Sequence, residues 1–325
     1  MTSRARSRSS ISARNSISAL DSSVVLGPLR MKSPIVAASG TFGHGDEVAR
    51  LCPPDRLGAV TVKSLSAYEW GGNPAPRLHP AAAGMLNSVG LQGPGVERWI
   101  AEDLPALKAL GAEVIVSVWG RNVHEFAEAA LLLAPCAADL LAVEVNVSCP
   151  NLEDRSRIFA HSVEATSAVV DAVVAAKLGI PVLAKLSPNT DELPEIAAAA
   201  VEAGADVLTL INTLLGFSID AESRRPVLGA GRGGLSGAAI KPVALRAVYD
   251  VTQALPGVPV IGTGGISTGR DAVEMMMAGA SAVGVGTATF REPRASLRIL
   301  DELLAWCAGH GVARVSDLTG SLETR

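Results

Sequence analysis

The sequence is poor in aromatic residues and in basic charge, and it lacks long apolar runs. Phe, Trp and Tyr make up only 3% of the chain, and the formal net charge is −4. Nucleic-acid-binding proteins usually combine a basic face with aromatic side chains on which bases stack. A membrane-spanning helix needs roughly 20 consecutive apolar residues. We therefore expect neither a nucleic-acid partner nor a membrane anchor.

The chain also has no clustered cysteines. Its four cysteines are Cys52, Cys136, Cys149 and Cys307, and none forms a CxxC pair. Such spacing predicts reduced thiols in the cytoplasm, without a disulfide framework and without an internal zinc or iron–sulfur site. With 48% hydrophobic and 18% charged residues, the composition is typical of a globular cytoplasmic enzyme that binds no metal.

What the chain does contain is a regular alternation of strands and helices. The predicted strands are 34–38, 59–62, 113–117, 142–146, 181–185, 206–211, 258–262 and 282–286. The predicted helices are 96–110, 122–135, 162–177, 192–203, 239–254 and 270–278. This order implies parallel strands joined by right-handed crossovers. The first prediction is an α/β fold of the (β/α)₈ TIM barrel type, and the second is a doubly wound sheet.

The two ends of the chain differ from this pattern. Residues 1–22 are rich in Ser and Arg and predict a disordered tail, with a targeting peptide as the alternative. Val24–Leu26 and Leu29–Met31 flank Gly27 and Pro28, which predicts a short hairpin. We expect the barrel to occupy 23–310, followed by a C-terminal extension at 311–325.

Every predicted strand ends in a polar residue or a glycine. These tip residues are Ser39, Lys63, Ser117, Asn146, Lys185, Asn212, Gly264, Gly265 and Thr287. In a barrel, the carboxyl ends of all eight strands surround one pocket, whereas an open sheet uses only the tips at its switch point. This distribution favours the barrel and one polar site.

The last two strand tips are rich in glycine. Gly264 and Gly265 follow the seventh strand, and Gly286 and Thr287 follow the eighth. Loops at these two positions commonly bind phosphate together with a helix N-terminus, and glycine allows backbone N–H groups to approach the anion. The pattern predicts a phosphorylated cofactor or substrate here, near a helix that begins around Thr268.

Lysine and asparagine side chains supply the remaining polar groups of the predicted site. Lys63 and Lys185 are suited to stabilise an anionic reduced flavin or to pair with a substrate carboxylate. The segment 85–92 is predicted to be a functional loop. The amides that would recognise a cyclic amide or imide are Asn87, Asn146, Asn151 and Asn212.

Cys149 lies in a Ser-Cys-Pro-Asn loop directly after the fourth strand. A lone cysteine is most often a buried structural thiol, but this loop is poor core material. A polar or cationic site would lower the thiol pKa from about 8.5. Cys149 would then serve as a nucleophile or a general base, and we assign the other three cysteines to packing.

Together these segments resemble the class 1 dihydroorotate dehydrogenases, specifically the catalytic subunit of the NAD-linked class 1B type. The resemblance extends from about Val24 to about Pro293. The matching stretches are 38–43 (ASGTFG), 72–77 (GNPAPR), 84–95 (GMLNSVGLQGPG), 146–151 (NVSCPN), 185–189 (KLSPN), 212–214, 233–245 and the two glycine-rich tips. It implies an FMN-dependent CH–CH oxidoreductase that converts dihydroorotate to orotate in de novo pyrimidine (UMP) biosynthesis.

The resemblance also implies residue roles. Cys149 would remove a proton from C5 of dihydroorotate while hydride leaves C6 for the flavin. The substrate would be held by Lys63, Asn87, Ser88, Val89, Gly90, Leu91, Asn146, Asn151, Asn212 and Thr213. FMN would be held by Ser39, Lys63, Ser64, Asn146, Lys185, Ile211, Gly237, Gly264, Gly265, Gly286 and Thr287. The implied partners are a second subunit that carries FAD and an iron–sulfur cluster, NAD as final acceptor, and a second copy of the chain in a homodimer.

Three features depart from the family pattern. Ser117 stands where the family usually has Asn. Residues 152–161 (LEDRSRIFAH) replace the Gly-Gly turn and Phe-Gly pair that usually follow Asn151. The Arg- and Ser-rich tail has no family counterpart.

These departures leave alternative functions open. One is a class 1A-like enzyme that uses fumarate. Another is a related FMN barrel acting on a different dihydropyrimidine, although dihydropyrimidine dehydrogenase typically has His where this chain has Asn151. From other classes come a barrel that binds flavin without turnover and a sugar-phosphate isomerase or synthase.

Overall fold

The computed structural model describes residues 20–151 and 157–323. The strands are β1 (Val24–Leu26), β2 (Leu29–Met31), β3 (Ile35–Ala37), β4 (Ala59–Thr61), β5 (Leu78–Ala81), β6 (Gly84–Asn87), β7 (Val114–Val118), β8 (Ala142–Asn146), β9 (Pro150–Asn151), β10 (Arg157–Ile158), β11 (Val182–Leu186), β12 (Val207–Leu210), β13 (Leu214–Phe217), β14 (Ile219–Asp220), β15 (Arg225–Pro226), β16 (Arg232–Ser236), β17 (Val260–Thr263) and β18 (Ala282–Val285). The α-helices are α1 (Val96–Glu102), α2 (Leu104–Ala109), α3 (Val123–Leu132), α4 (Val163–Val174), α5 (Leu193–Glu202), α6 (Lys241–Ala254), α7 (Gly269–Met277), α8 (Ala288–Arg291) and α9 (Ala295–Gly309). Short 3₁₀ helices cover Pro54–Arg56, Ala134–Asp139, Phe159–His161, Ala238–Ile240 and Val315–Leu318.

Eight parallel strands close into a barrel in the order β3, β4, β7, β8, β11, β12, β17, β18. All five residues of β7, of β8 and of β11 are buried, because helices cover the outside of a parallel barrel while packed side chains fill the inside. Each predicted strand overlaps one of these eight. The TIM barrel prediction is confirmed, and the doubly wound sheet is wrong.

The helices form the outer layer, and their first turns carry the expected capping residues. Asn122 caps α3, and Thr268 forms a reciprocal capping box with Asp271 at the start of α7. The predicted helix at 96–110 is two helices, because the chain restarts at Leu104–Pro105 and proline cannot donate the backbone hydrogen bond of a continuous helix. The prediction omitted α9, which packs against α7 and β3.

The amino-terminal end of the barrel is closed by the predicted hairpin, which is confirmed as β1 paired with β2. Its turn at Gly27 lies against Asp206 and Pro259, which immediately precede β12 and β17. Asp21 exchanges backbone hydrogen bonds with Ala313 and Val315, so the segment after α9 packs on the same end. The expected division into a tail at 1–22, a barrel at 23–310 and an extension at 311–325 stays a prediction, and residues 1–19 lie outside the described part of the chain.

A four-stranded antiparallel sheet, which we call the roof, stands at the carboxyl end of the barrel in the order β13, β16, β6, β5. The loop expected at 85–92 is wrong in its first part, because Gly84–Asn87 is strand β6. A Cβ on Gly84 would lie 1.9 Å from the Ser236 carbonyl oxygen, so this strand pair needs glycine at the contact. The partner strand β16 is about 150 residues away in the chain, which a local sequence pattern does not reveal.

Within the described residues, none of the helices has the length and apolar character needed to cross a bilayer.

Candidate active site

A cavity lies between the roof and the carboxyl ends of the barrel strands. It brings together every residue predicted to hold FMN and every residue predicted to hold substrate whose side chain the structure describes, which leaves Asn151 outside the comparison. Those residues are Ser39, Lys63, Ser64, Asn87, Ser88, Val89, Gly90, Leu91, Asn146, Lys185, Ile211, Asn212, Thr213, Gly237, Gly264, Gly265, Gly286 and Thr287. Seven of the eight predicted strand tips contribute to this lining, and the third tip, Ser117, does not.

The floor of the cavity is a chain of hydrogen bonds that crosses neighbouring strand tips. Asn212 Nδ2 donates to Asn146 Oδ1 at 3.3 Å, and Asn146 Nδ2 donates to Ser64 Oγ at 3.1 Å. Ser64 Oγ is in turn 2.9 Å from Ser117 Oγ and 3.5 Å from Ser39 Oγ. Each amide therefore has a fixed orientation, which is the requirement for reading a polar ligand.

Ser117 supports this floor from behind. Its side chain is fully buried, and it is not among the residues that line the cavity. Its hydroxyl contacts the Ser64 hydroxyl and does not reach the cavity, so a direct ligand contact of the kind expected from an Asn at this position is not formed by Ser117.

Lys63 and Lys185 point into the same cavity from β4 and β11. Lys185 is only 7% exposed, and neither ammonium has a carboxylate within 4 Å among the described residues. Burial, together with the charge of Lys185, lowers the pKa of Lys63 to about 8. Two cations that are poorly hydrated and repel each other favour an anionic ligand, because an anion would offset both the desolvation and the repulsion.

The two glycine-rich tips present free backbone donors. Within the described part of the chain, the backbone N–H groups of Gly264, Gly265, Gly286 and Thr287 find no acceptor. A Cβ on Gly286 would meet nothing closer than 3.8 Å, whereas a Cβ on Gly264 would lie 2.7 Å from Ala244 on α6. Glycine at 286 therefore leaves open space in the cavity, and glycine at 264 also permits close packing of α6.

The helix that begins near Thr268 does not provide the anion site that the sequence suggested. The side chain of Asp271 accepts hydrogen bonds from the backbone N–H groups of Ser267 and Thr268, and Glu302 accepts one from Gly269. Two carboxylates already occupy the N-terminus of α7, so a phosphate there would be repelled. The free donors at 264–265 and 286–287 are the better anion site.

Two buried hydroxyls on the cavity wall also lack partners. Ser88 Oγ and Ser148 Oγ are inaccessible to solvent and make no hydrogen bond within the described residues. Such atoms are rare in folded proteins because an unmade buried hydrogen bond is costly. Their presence on the wall indicates that a polar ligand completes the site.

The segment that follows β6 is held in place by contacts that the sequence analysis did not assign. Trp70 Nε1 donates to the Gly90 carbonyl at 3.0 Å, and Asn73 Nδ2 donates to the Ser88 carbonyl at 3.2 Å. Arg77 donates to the Asn73 carbonyl and to the Gln92 side chain. The stretch 72–77 (GNPAPR), which matches the family pattern, contains Asn73 and Arg77, and this match was the sequence signal that could have identified them.

The Cys149 thiol does not line the cavity, although Ser148 beside it does. It is 1% exposed and donates to the carbonyl oxygens of Asn146 at 3.2 Å and Gly120 at 3.3 Å. Burial raises the pKa of Cys149 to about 12, and the Glu125 carboxylate also acts to raise it. The predicted lowering of this pKa is therefore wrong, because apolar burial outweighs the polar character of the loop.

The remaining predictions around Cys149 have mixed outcomes. Cys52, Cys136 and Cys307 are buried free thiols, as expected for packing residues. The backbone of Asn151 pairs with Arg157 in the short β9–β10 ladder, but its side chain lies outside what the structure describes. The same holds for residues 152–156, so the expectation that the altered loop covers the thiol stays a prediction.

Comparison of the sequence with known proteins assigns the chain to a family. A protein-family model described as dihydroorotate dehydrogenase matches residues 22–306. The chain is 45% identical over 303 residues to the "Dihydroorotate dehydrogenase B (NAD(+)), catalytic subunit" of Geobacter sp. strain M21, covering 93% of this chain and 98% of that protein. It is 46% identical over 303 residues to the protein of the same name from Pelobacter propionicus, covering 93% and 99%.

A relative with a different name is equally similar. The chain is 46% identical over 297 residues to the "Putative dihydroorotate dehydrogenase A (fumarate)" of Solibacter usitatus, covering 91% of this chain and 96% of that protein. Sequence identity therefore does not separate the two kinds of electron acceptor.

Proposed function

The chain belongs to the dihydroorotate dehydrogenase family of flavin-dependent oxidoreductases, and we propose that it oxidises dihydroorotate to orotate with FMN as hydride acceptor. This reaction would serve de novo UMP synthesis. The observation that carries the proposal is the single cavity that collects both predicted residue sets at the carboxyl end of the barrel. Active sites of TIM barrels lie at this end.

The cavity fits FMN in its charges and donors. The free N–H groups at 264–265 and 286–287 would bind the phosphate. Lys63 and Lys185 would lie near the ring, with Ser39, Ser64, Asn146, Ile211 and Gly237 completing the lining. Bound there, oxidised flavin would accept the hydride that leaves C6 of the substrate.

The chain's own residues would orient the substrate and hold its charge. Asn87, Asn146 and Asn212 offer amide donors and acceptors that complement the cyclic imide, and Ser88 offers an unpaired hydroxyl. The Lys63 ammonium would pair with the carboxylate. The backbone of 88–91 is fixed by Trp70 and Asn73, so the substrate would meet a preformed surface. Asn151 and Thr213 are further proposed contacts.

We assign the base to Cys149. This role requires the thiol to turn from the Asn146 and Gly120 carbonyls toward the cavity that the adjacent Ser148 lines. Its thiolate would then take the proton from C5, and the proton would reside on sulfur until it is released to solvent. Because burial raises the thiol pKa to about 12, the base form is scarce at neutral pH. The reductive half-reaction is therefore expected to accelerate as the pH rises.

The proposal extends to the electron acceptor and the location. Relatives whose names specify a catalytic subunit support a second subunit, which would carry FAD and an iron–sulfur cluster and pass electrons to NAD. The relative named for fumarate keeps a class 1A-like acceptor as the second candidate. A cytoplasmic location is supported by four free thiols.

We also propose a homodimer built on the outer edge of the roof. Leu215, Phe217 and Ile219 alternate along β13 and β14, and they are 62%, 53% and 59% exposed. An exposed edge strand is a template for pairing with another chain, and an exposed apolar patch commonly marks an interaction surface. The adjoining β14–β15 hairpin carries both acids (Asp220, Glu222) and arginines (Arg224, Arg225), which complement each other across a two-fold axis.

The dimer is tested by sedimentation of the wild type and of Phe217→Asp. We expect the wild type at twice the monomer mass and the variant as a folded monomer. A dimeric variant, or a monomeric wild type, would contradict this interface.

One purification tests the reaction. A yellow protein that releases FMN excludes a sugar-phosphate enzyme, and anaerobic bleaching by dihydroorotate excludes a flavin barrel without turnover. Bleaching by dihydrouracil instead would indicate another dihydropyrimidine substrate. Reoxidation by fumarate would favour the class 1A-like enzyme, whereas reoxidation by NAD only after the partner subunit is added would favour class 1B.

A further inference from the structure

An ion pair between Arg121 and Glu125 lies beside the Cys149 loop, outside the residues that line the cavity. Arg121 donates to Glu125 Oε1 from Nη2 at 2.9 Å and from Nε at 3.1 Å, and its backbone N–H donates to Oε2 at 2.9 Å. The Glu125 side chain is only 13% exposed. A two-point, partly buried pair of this kind is more rigid than an ordinary surface ion pair.

Two aromatic residues, Tyr68 and Trp70, connect this ion pair to the segment 88–91 that is proposed to bind substrate. Tyr68 donates its hydroxyl to Glu125 Oε2 at 2.7 Å. The Arg121 guanidinium lies 5.0 Å from the ring centre of Tyr68 and 5.4 Å from that of Trp70, which are cation–π distances. Trp70 in turn holds the Gly90 carbonyl. We call Tyr68, Trp70, Arg121 and Glu125 the arginine cluster.

The other side of the arginine cluster reaches the thiol through one peptide group. The Gly120 carbonyl, which directly precedes Arg121, accepts the hydrogen bond from Cys149. A Cβ on Gly120 would lie 2.8 Å from Glu125 Cβ and from the Phe126 nitrogen. Gly120 therefore packs directly on the first turn of α3. The hydrogen bond from the Arg121 backbone N–H to Glu125 Oε2 holds the peptide group between Gly120 and Arg121 and so fixes the direction of the Gly120 carbonyl.

We propose that Arg121 and Glu125 act on Cys149 as positioning residues. The ion pair aims the Gly120 carbonyl at the thiol, and the balance of its two charges sets how readily the thiol loses its proton. The inference rests on the proposed role of Cys149 as the base. It adds a control that lies outside the cavity and touches neither substrate nor flavin.

The charges around the thiol support this role. Burial acts to raise the pKa of Glu125, but the hydrogen bonds from Arg121 and Tyr68 outweigh it and lower the pKa, so the carboxylate is charged at neutral pH. That charge opposes the thiolate, and the guanidinium paired with Glu125 carries the opposite charge and would partly offset it.

The other titratable groups near the thiol do not counteract the charges of Arg121 and Glu125. Burial, together with the hydrogen bond to the Glu125 carboxylate and its charge, raises the pKa of Tyr68 to about 12, so its phenol is neutral. Burial lowers the pKa of His161, in the turn whose Phe159 N–H bonds to the Cys149 carbonyl, so its ring is neutral above pH 7. Lys63 and Lys185 face the cavity from neighbouring strand tips.

The test measures the thiol directly, without turnover. The FMN-loaded full chain is treated with iodoacetamide at several pH values between 8 and 9.5, and the alkylation rate of Cys149 is followed by peptide mass spectrometry. Glu125→Gln should raise the rate about tenfold, and Arg121→Gln should lower it about tenfold, because one full charge near a buried group shifts its pKa by about one unit.

Two further variants separate charge from structure. Arg98→Gln removes a matched Arg–Glu pair of the same i,i+4 spacing on α1, with both side chains more than half exposed, and should leave the rate unchanged. Arg121→Lys keeps the charge and loses the two-point geometry. It should alkylate at nearly the wild-type rate yet bleach more slowly with dihydroorotate.

The outcomes are distinct. Equal rates in Glu125→Gln and Arg121→Gln, or a change in the same direction in both, would overturn the inference, since simple loosening exposes the thiol in either variant. The inference would also be overturned if a variant changed the alkylation rate of Cys149 while the pH dependence of its bleaching rate stayed that of the wild type. Failure of the proposed function would be seen elsewhere, as wild-type bleaching in Cys149→Ala.

Discussion

The two ends of the barrel differ in the polarity of their buried residues. At the amino-terminal end, Val24, Leu26, Leu29 and Met31 are at most 2% exposed and fill the space under the strands. At the carboxyl end, Lys63 and Lys185 repel each other, and two buried hydroxyls lack hydrogen-bond partners among the described residues. One end stabilises the fold by apolar burial, and the other gives up stability for a polar cavity that a ligand completes. Substitutions at the two ends should therefore separate activity from stability.

The largest effect is expected from Cys149→Ala at the carboxyl end. Loss of the base should slow anaerobic bleaching by dihydroorotate by about 10²–10⁴-fold, while FMN stays bound because Cys149 does not line the cavity. Stopped-flow absorbance of the flavin measures the rate. Cys136→Ala is the matched control, as a buried thiol remote from the cavity, and bleaching at the wild-type rate in Cys149→Ala would remove Cys149 from the mechanism.

The opposite behaviour is expected from Leu26→Ala in the hairpin. Leu26 is fully buried, so truncation should lower the free energy of unfolding by about 2–5 kcal/mol. Urea denaturation measures this loss, and the bleaching rate of the protein that remains folded should be unchanged. A slowed bleaching step would show that the two ends are coupled and would break the comparison.

A smaller, pH-dependent effect is expected from Lys63→Met in the FMN-free protein. The pKa of Lys63 is lowered in the folded chain, so the unfolded chain binds more protons between about pH 8 and pH 10.5. The contribution of Lys63 is therefore destabilising below pH 8 and fades as the pH rises through this window. Lys63→Met should be more stable than the wild type at pH 7 by up to about 3 kcal/mol.

Unfolding curves of both proteins at pH 7 and pH 10 measure this difference. It must be taken between wild type and variant, because buried thiols with raised pKa values lose stability over the same pH range. If the free energies of unfolding of the wild type and Lys63→Met differed by the same amount at both pH values, the lowered pKa of Lys63 would be contradicted.

The smallest effect is expected from Gly286→Ala. The added methyl group has room in the apoprotein, so the melting temperature should move by less than about 2 °C, but the methyl group would stand where the phosphate approaches. FMN should bind about tenfold more weakly, or about 1.4 kcal/mol, as measured by fluorescence titration. Gly264→Ala is the contrast, because its methyl group strikes Ala244 and should destabilise the fold itself.

The sequence predicted those features that repeat locally. Eight apolar runs each ended in a polar tip, and β8 with Asn146 or β11 with Lys185 could be located within one or two residues. Features that depend on distant partners were missed. The roof pairs β6 with β16, and the fully buried thiol of Cys149 depends on packing from Gly120 and Phe159, so neither the strand nor the direction of the pKa shift was visible locally.

The roof has a mechanical consequence for the barrel beneath it. Strands β5 and β6 leave the ring after its second strand, and β13 and β16 leave it after its sixth, so the paired segments start from opposite sides of the mouth. Their pairing connects two opposite sides of the barrel mouth, so the mouth cannot widen there without breaking the hydrogen bonds between β6 and β16. The aperture through which a ligand enters is thus held at a fixed span by backbone pairing between residues about 150 positions apart.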